Sequence, residues 1–142
     1  MKNELVIFNP ENTMEREMYT TVDLNTEESR IELFNATESA DVLLNDIVGQ
    51  TITINNIYVE KNPIKEVDDE TGEVTFNGVK YRTILFDVDG QTYATGSYGV
   101  YNSVRKMIDL LGINISNKGT KVEVIKVPTK DGKQKLSLKL VK

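Results

Sequence analysis

The sequence contains no cysteine, no histidine and no tryptophan, and only three prolines. Without cysteine there is no disulfide and no thiolate, which fits a cytoplasmic setting. Without histidine the commonest general base and metal ligand is missing, along with any Ser-His-Asp triad. Without tryptophan, any aromatic stacking falls to the six tyrosines and four phenylalanines. No apolar run approaches the roughly 20 residues that cross a bilayer, and residues 5–8 are too short for the apolar core of a signal peptide. No P-loop, Gly-x-Ser-x-Gly or zinc spacing occurs. Asp87-Val88-Asp89 has the look of a carboxylate pair for a hard cation, but the Asp89-Gly90 turn explains it better. The protein is expected to be no enzyme and to need no metal or cofactor.

What is present is segregated by charge. Residues 1–60 hold 3 Lys/Arg against 12 Asp/Glu, residues 61–100 hold 4 against 7, and residues 101–142 hold 10 against 3. The net charge of −5 therefore hides a strongly acidic first part and a basic last part.

The best-patterned stretch is residues 80–112. Ile84, Phe86 and Val88 alternate with Thr83, Leu85 and Asp87, which predicts a strand burying the first set. Asp89-Gly90 makes a hairpin turn, and residues 91–96 run back as the partner strand. After Ser97 the period lengthens: Tyr101, Val104, Ile108 and Leu111 mark one face of a helix that Gly112 stops. Residues 51–61 predict an earlier strand, with Ile52 and Ile54 on one face. The Asn55-Asn56 pair then shifts the alternation to Ile57 and Val59, as a β-bulge would, and turns Tyr58 away from the core. Residues 62–79 read as an acidic projecting loop or hairpin with its tip at Asp68-Asp69-Glu70-Thr71-Gly72. Residues 120–127 and 133–141 are strands joined by a turn at Asp131-Gly132.

Before residue 49 the pattern is weaker. Residues 19–24 and 30–34 predict two strands, and residues 36–48 a short helix capped by Thr37. Residues 1–18 form a polar tail around the apolar patch Leu5, Val6, Ile7 and Phe8, interrupted by Pro10. Docked on a neighbouring copy, that patch would link subunits head to tail; folded back, it would cover its own domain.

The division expected is thus a tail over 1–18 and one domain over 19–142, with extra strands and a helix at 19–48 and a barrel at 49–142. From residue 49 the order is strand, long loop, strand, turn, strand, helix, strand, turn, strand. That is the order of the five-stranded Greek-key OB-fold barrel, so the fold class is mainly β with two short helices. With Gly49-Gln50-Thr51, the Asp89-Gly90 turn and Gly96-Ser97 before the helix, residues 49–141 resemble OB-type single-stranded-DNA-binding proteins of phages and conjugative plasmids of Gram-positive bacteria. The resemblance implies sequence-tolerant coating of single-stranded DNA in replication, recombination or conjugative transfer, by oligomers along the strand. It departs at the C-terminus, where Lys139-Leu140-Val141-Lys142 replaces the acidic partner-recruiting tail of the bacterial prototypes.

OB barrels hold single strands on a positive groove with aromatic faces for the bases. Alternation sets Tyr58, Tyr81 and Tyr93 outward or near strand ends, with Lys61, Lys80 and Arg82 close in sequence and Lys130 and Lys133 flanking the last turn. Tyr98 and Tyr101, opening the helix, are expected to pack on the core. No residue pattern reads a 2′-hydroxyl, so RNA and duplex DNA stay open as ligands beside single-stranded DNA. The rival from another class is a non-catalytic OB-fold adaptor between proteins, favoured by the acidic first half.

Overall fold

A computed structural model describes residues 5–8, 16–112 and 119–141. Eight strands form one curled sheet rather than a five-stranded barrel, in the order β1-β2-β4-β5-β6-β3, with β7 paired to β4 and β8 to β7. The strands are β1 (Leu5–Phe8), β2 (Arg16–Thr20), β3 (Val42–Leu43), β4 (Thr51–Val67), β5 (Val74–Asp87), β6 (Thr92–Thr95), β7 (Thr120–Pro128) and β8 (Gln134–Leu140). Among the described residues two helices complete it, α1 (Glu27–Glu38) and α2 (Tyr98–Leu111), with a short 3-10 turn over Leu44–Ile47.

The centre is the β4–β5 hairpin. Its register slips between Ile54 and Asn56, where the Asn pair breaks the alternation. This bulge lets Ile52, Ile54, Ile57 and Val59 all reach the same core. The hairpin projects beyond the sheet as expected. Its tip is tied by Asp68, whose carboxylate accepts from the backbone N–H of Glu70 (2.8 Å) and Thr71 (3.1 Å). Those two bonds hold the Asp68 carboxyl below its ordinary range. Gly72 supplies the positive φ (72°) that closes the turn.

Both faces of the sheet are covered, and this overturns the one-sided reading of β5. Register sets Ile57, Leu85 and Tyr93 side by side on one face, where Val100, Tyr101, Val104 and Met107 of α2 complete the main core. Tyr58, Ile84 and Ala94 lie abreast on the other face, under Leu33 and Ala36 of α1. Leu85, not Ile84 or Phe86, therefore enters the main core. Thr83, Ile84 and Leu85 are all fully buried.

The segment before residue 49 is also corrected. Residues 30–34 belong to α1, not to a strand, and the first strand of the region runs Arg16–Thr20 rather than over 19–24. The helix cap is Thr26, whose hydroxyl accepts from Ser29 N–H (3.1 Å), with Glu27 and Glu28 in the first turn favouring the dipole. Thr37 caps nothing; its hydroxyl donates back to the Phe34 carbonyl (2.7 Å). The chain then leaves the helix, and Val42–Leu43 pairs in parallel with β6. Among the described residues β8 pairs with β7 alone, so β3 occupies the β6 edge that a closed barrel would give to its last strand.

α2 is built as the sequence suggests. Ser97 accepts from Val100 N–H (3.3 Å), and Gly112, at φ 60°, donates to the Ile108 carbonyl (2.9 Å). Its start leans on β8: the Ser97 hydroxyl donates to the Leu136 carbonyl (3.3 Å), and Ser103 and Ser137 share a hydrogen bond (3.0 Å). No helix among the described residues is long and apolar enough to cross a membrane.

One buried group is unsatisfied. The Thr83 hydroxyl has no hydrogen-bond partner among the described residues although the side chain is fully buried. A desolvated hydroxyl costs free energy that a methyl group of the same shape does not. Thr83→Val is expected to raise stability by about 1 kcal/mol, read as a higher urea midpoint at unchanged slope. A lower midpoint would contradict this.

Candidate nucleic-acid interface

Alternation along β5 sends neighbours to opposite faces at Lys80, Tyr81 and Arg82, midway along the strand. Lys80 and Arg82 sit across from Asn62 and Glu60, and Tyr81 sits across from Lys61. The β6 partner strand ends at Thr95, and Gly96-Ser97 carries the chain away into α2. Two open grooves flank this part of β5, and Tyr81 lines both.

The first groove, of about 460 Å³, is lined by Glu60, Lys80, Tyr81, Arg82, Thr95 and Gly96 among others. The second, of about 380 Å³, is lined by Lys61, Tyr81, Tyr98, Tyr101, Arg105 and Lys106, with Glu17 and Asp109 as its acidic members. Three tyrosine rings meet there. Tyr81 is 4.9 Å from Tyr98, edge-on at 60°, and 4.7 Å from Tyr101, tilted at 49°. Tyr98 and Tyr101 stack at 6.4 Å and 27°. These separations are those of attractive aromatic pairs.

The three rings are not equivalent. Tyr101 is 7% exposed and anchors the cluster to the core, whereas Tyr98 is 54% exposed. Burial pushes the Tyr101 phenol above its ordinary pKa, against the pull of Arg105. The Arg105 guanidinium lies 5.9 Å from the Tyr101 ring centre, and its Nη1 donates to the Tyr101 hydroxyl (3.0 Å). The same nitrogen pairs with Glu17 at 3.4 Å. Guanidinium has five N–H donors, so these contacts of one nitrogen do not exhaust the donors of Arg105, which lines the groove. The arrangement offers an exposed ring for a flat apolar ligand, with cations around it for an anionic backbone.

Of the residues expected at the interface, Lys80, Tyr81 and Arg82 line the first groove, and Lys61 and Tyr81 the second. Tyr58 and Tyr93 are not, and their outward placement is corrected. Tyr58 does turn from the main core, but α1 covers it; it is 4% exposed, and its hydroxyl donates to Glu60 Oε2 (2.9 Å). Tyr93 is 5% exposed within the main core, and its hydroxyl donates to Asp87 Oδ2 (2.6 Å). Lys130 and Lys133 are exposed in the β7–β8 turn and line neither groove. Leu5–Phe8 pairs antiparallel with β2 of its own chain, at the sheet edge. Tyr101 packs on the core as expected, but Tyr98, expected there too, is exposed in the second groove, where Arg105 and Lys106 join it without having been foreseen. A signal existed: Tyr98, Tyr101 and Arg105 follow at i, i+3 and i+7, a helix face continuing the stripe past Ser97.

Asp87 is structural. Its Oδ1 accepts from the backbone N–H groups of Asp89 and Gln91, both at 2.9 Å, closing the Asp89-Gly90 turn. Among the described residues no cluster of three or more acidic side chains is placed to hold a metal. Burial and the bond to the Asp87 carboxylate push the Tyr93 phenol up to about 12. The folded state therefore keeps a proton that the unfolded chain releases near pH 10, so stability falls as pH rises from about 10 to 12. Alkaline denaturation should show this loss, and Tyr93→Phe should remove its share of the pH dependence. An unchanged profile in Tyr93→Phe would contradict the assignment.

Comparison with known proteins gives a family match. A family model described as phage single-stranded DNA-binding protein covers residues 12–141. No curated protein and no solved structure matches the chain.

Proposed function

The chain belongs to the phage single-stranded DNA-binding protein family, non-catalytic binding proteins, and we propose that it coats single-stranded DNA sequence-tolerantly through the junction of the two grooves at Tyr81. The observation that carries this is the tyrosine cluster of Tyr81, Tyr98 and Tyr101 set among Lys61, Arg105 and Lys106. Bases stack on the open faces of Tyr98 and Tyr81, and every base has such a face, so sequence is not read. Phosphates run past Lys61, Arg105 and Lys106 on one side and Lys80 and Arg82 on the other. The curled sheet with its element order from residue 51 onward supports an OB-like barrel as the frame. The acidic tip of the β4–β5 hairpin, Asp68 to Glu73, stays clear of the strand, since it would repel phosphate. Such a protein serves replication or recombination in the host cytoplasm.

Fluorescence anisotropy of a labelled oligothymidine at rising salt tests this. Five engaged cations give a slope of log K against log salt of about −3.5, at about −0.7 per cation on single strands. Binding that ignores salt, or none at low salt, would remove the phosphate contacts and favour an adaptor between proteins.

A further inference from the structure

A second surface lies away from both grooves. α1 turns Leu33 and Ala36 to the sheet, yet its opposite side is not uniformly polar. Ile31 is 51% exposed and Phe34 62% exposed, and at i, i+3 they adjoin each other. Glu27, Glu28, Glu32 and Glu38 are exposed around them. Arg30 is exposed beside them as well, its guanidinium donating to the Leu24 carbonyl (2.6 Å). The two apolar residues thus adjoin each other in a surround of four carboxylates and one guanidinium, the composition of a docking surface of net negative charge.

The complementary surface is on the same chain. The β7–β8 ribbon sets Glu123 opposite Lys139, Ile125 opposite Ser137 and Val127 opposite Lys135. One face therefore carries half-buried Ile125 and Val127 with exposed Lys135 and Lys139, and Lys121 continues it two residues before Glu123. Three lysines against the single carboxylate of Glu123 give these apolar residues a frame of net positive charge, the reverse of what α1 offers. The same contrast runs through the whole chain, since the basic residues concentrate after residue 100 and the acidic ones before 61.

We propose that α1 of one copy docks on the β7–β8 ribbon of a second copy. The two patches are different surfaces, so the contact is heterologous and joins subunits head to tail, in a ring or an open chain. It uses neither the tyrosine cluster nor Leu5–Phe8, and opposite charges make it weaken with salt.

Sedimentation velocity of the full protein without DNA tests the proposal. The wild type should associate at low salt and dissociate as salt rises. Phe34→Ser should weaken association about tenfold, as loss of an aromatic anchor does. Glu28→Lys/Glu32→Lys and Lys135→Glu/Lys139→Glu should each abolish association alone and recover it when mixed, because each then offers what the other lacks. All these positions are exposed, so circular dichroism should be unchanged. A wild type that stays monomeric at low salt, or reversed variants that associate like the wild type, would overturn it. Anisotropy on an oligothymidine long enough for one subunit reads DNA binding separately, so a failure there touches the tyrosine site and not this contact.

Discussion

Tyr98→Ala should weaken oligothymidine binding about tenfold or more, while leaving the fold intact. A base stacked on an aromatic ring contributes about 1–3 kcal/mol by alanine substitution, and Tyr98 is the most exposed ring of its cluster. Its truncation removes little buried area, so the urea midpoint should hardly move. Tyr81→Ala should weaken binding as much and also cost some stability, because Tyr81 is half-buried and packs on both other rings. Tyr58→Phe should do neither to DNA binding, since that ring lies under α1. Equal affinity of wild type and Tyr98→Ala across salt concentrations would remove the cluster from the binding site.

Gly99→Ala should destabilise the protein by about 1–3 kcal/mol, the range for overpacking a tight contact. Gly99 is buried at the second position of α2, and a methyl group there would lie well inside van der Waals contact of the Leu136 carbonyl oxygen. Both partners are backbone, so neither can turn aside; helix and β8 must move apart. That movement also strains the Ser97 hydroxyl bond to the same carbonyl. Since total stabilities run about 5–15 kcal/mol, the loss should be plain in a denaturation curve. Gly96→Ala is the control: its added carbon would meet the Tyr81 carbonyl at 3.5 Å, an ordinary contact. Because Gly99 follows Tyr98, Gly99→Ala should also disturb the tyrosine cluster and lower DNA affinity. An unchanged midpoint in Gly99→Ala would mean that α2 does not lean on β8 as closely as described.

These two positions illustrate what was legible before the structure was known. α2 announced itself through a clear 3.6-residue stripe between a serine cap and a stopping glycine, and the bulge at Asn55-Asn56 through a slipped alternation. Those signals are local, and local rules carry them. The N-terminal region misled because Ile31 and Leu33 alternate over too few residues to tell a strand from a helix, and because α1 bears apolar residues on two sides. Its capping pattern at Thr26, followed by Glu27 and Glu28, was the better guide. Tyr58 shows a different limit. Alternation correctly turned it from the main core, but no periodicity says that a helix far back in the chain will cover that face. Tyr93 is the plainer error, since register with Leu85 carries it into the core. The cluster of Tyr81 with Tyr98 and Tyr101 joins a strand to a helix, and only the tertiary fold brings them together.

The most direct test of the central claim is photochemical cross-linking of the protein to an oligonucleotide carrying 5-iodouracil, with the adducts mapped by mass spectrometry. The account predicts adducts at Tyr98 and Tyr81 and none at Tyr58 or Tyr93. Adducts confined to the β7–β8 turn, or absent from the tyrosine cluster while DNA is bound, would contradict it.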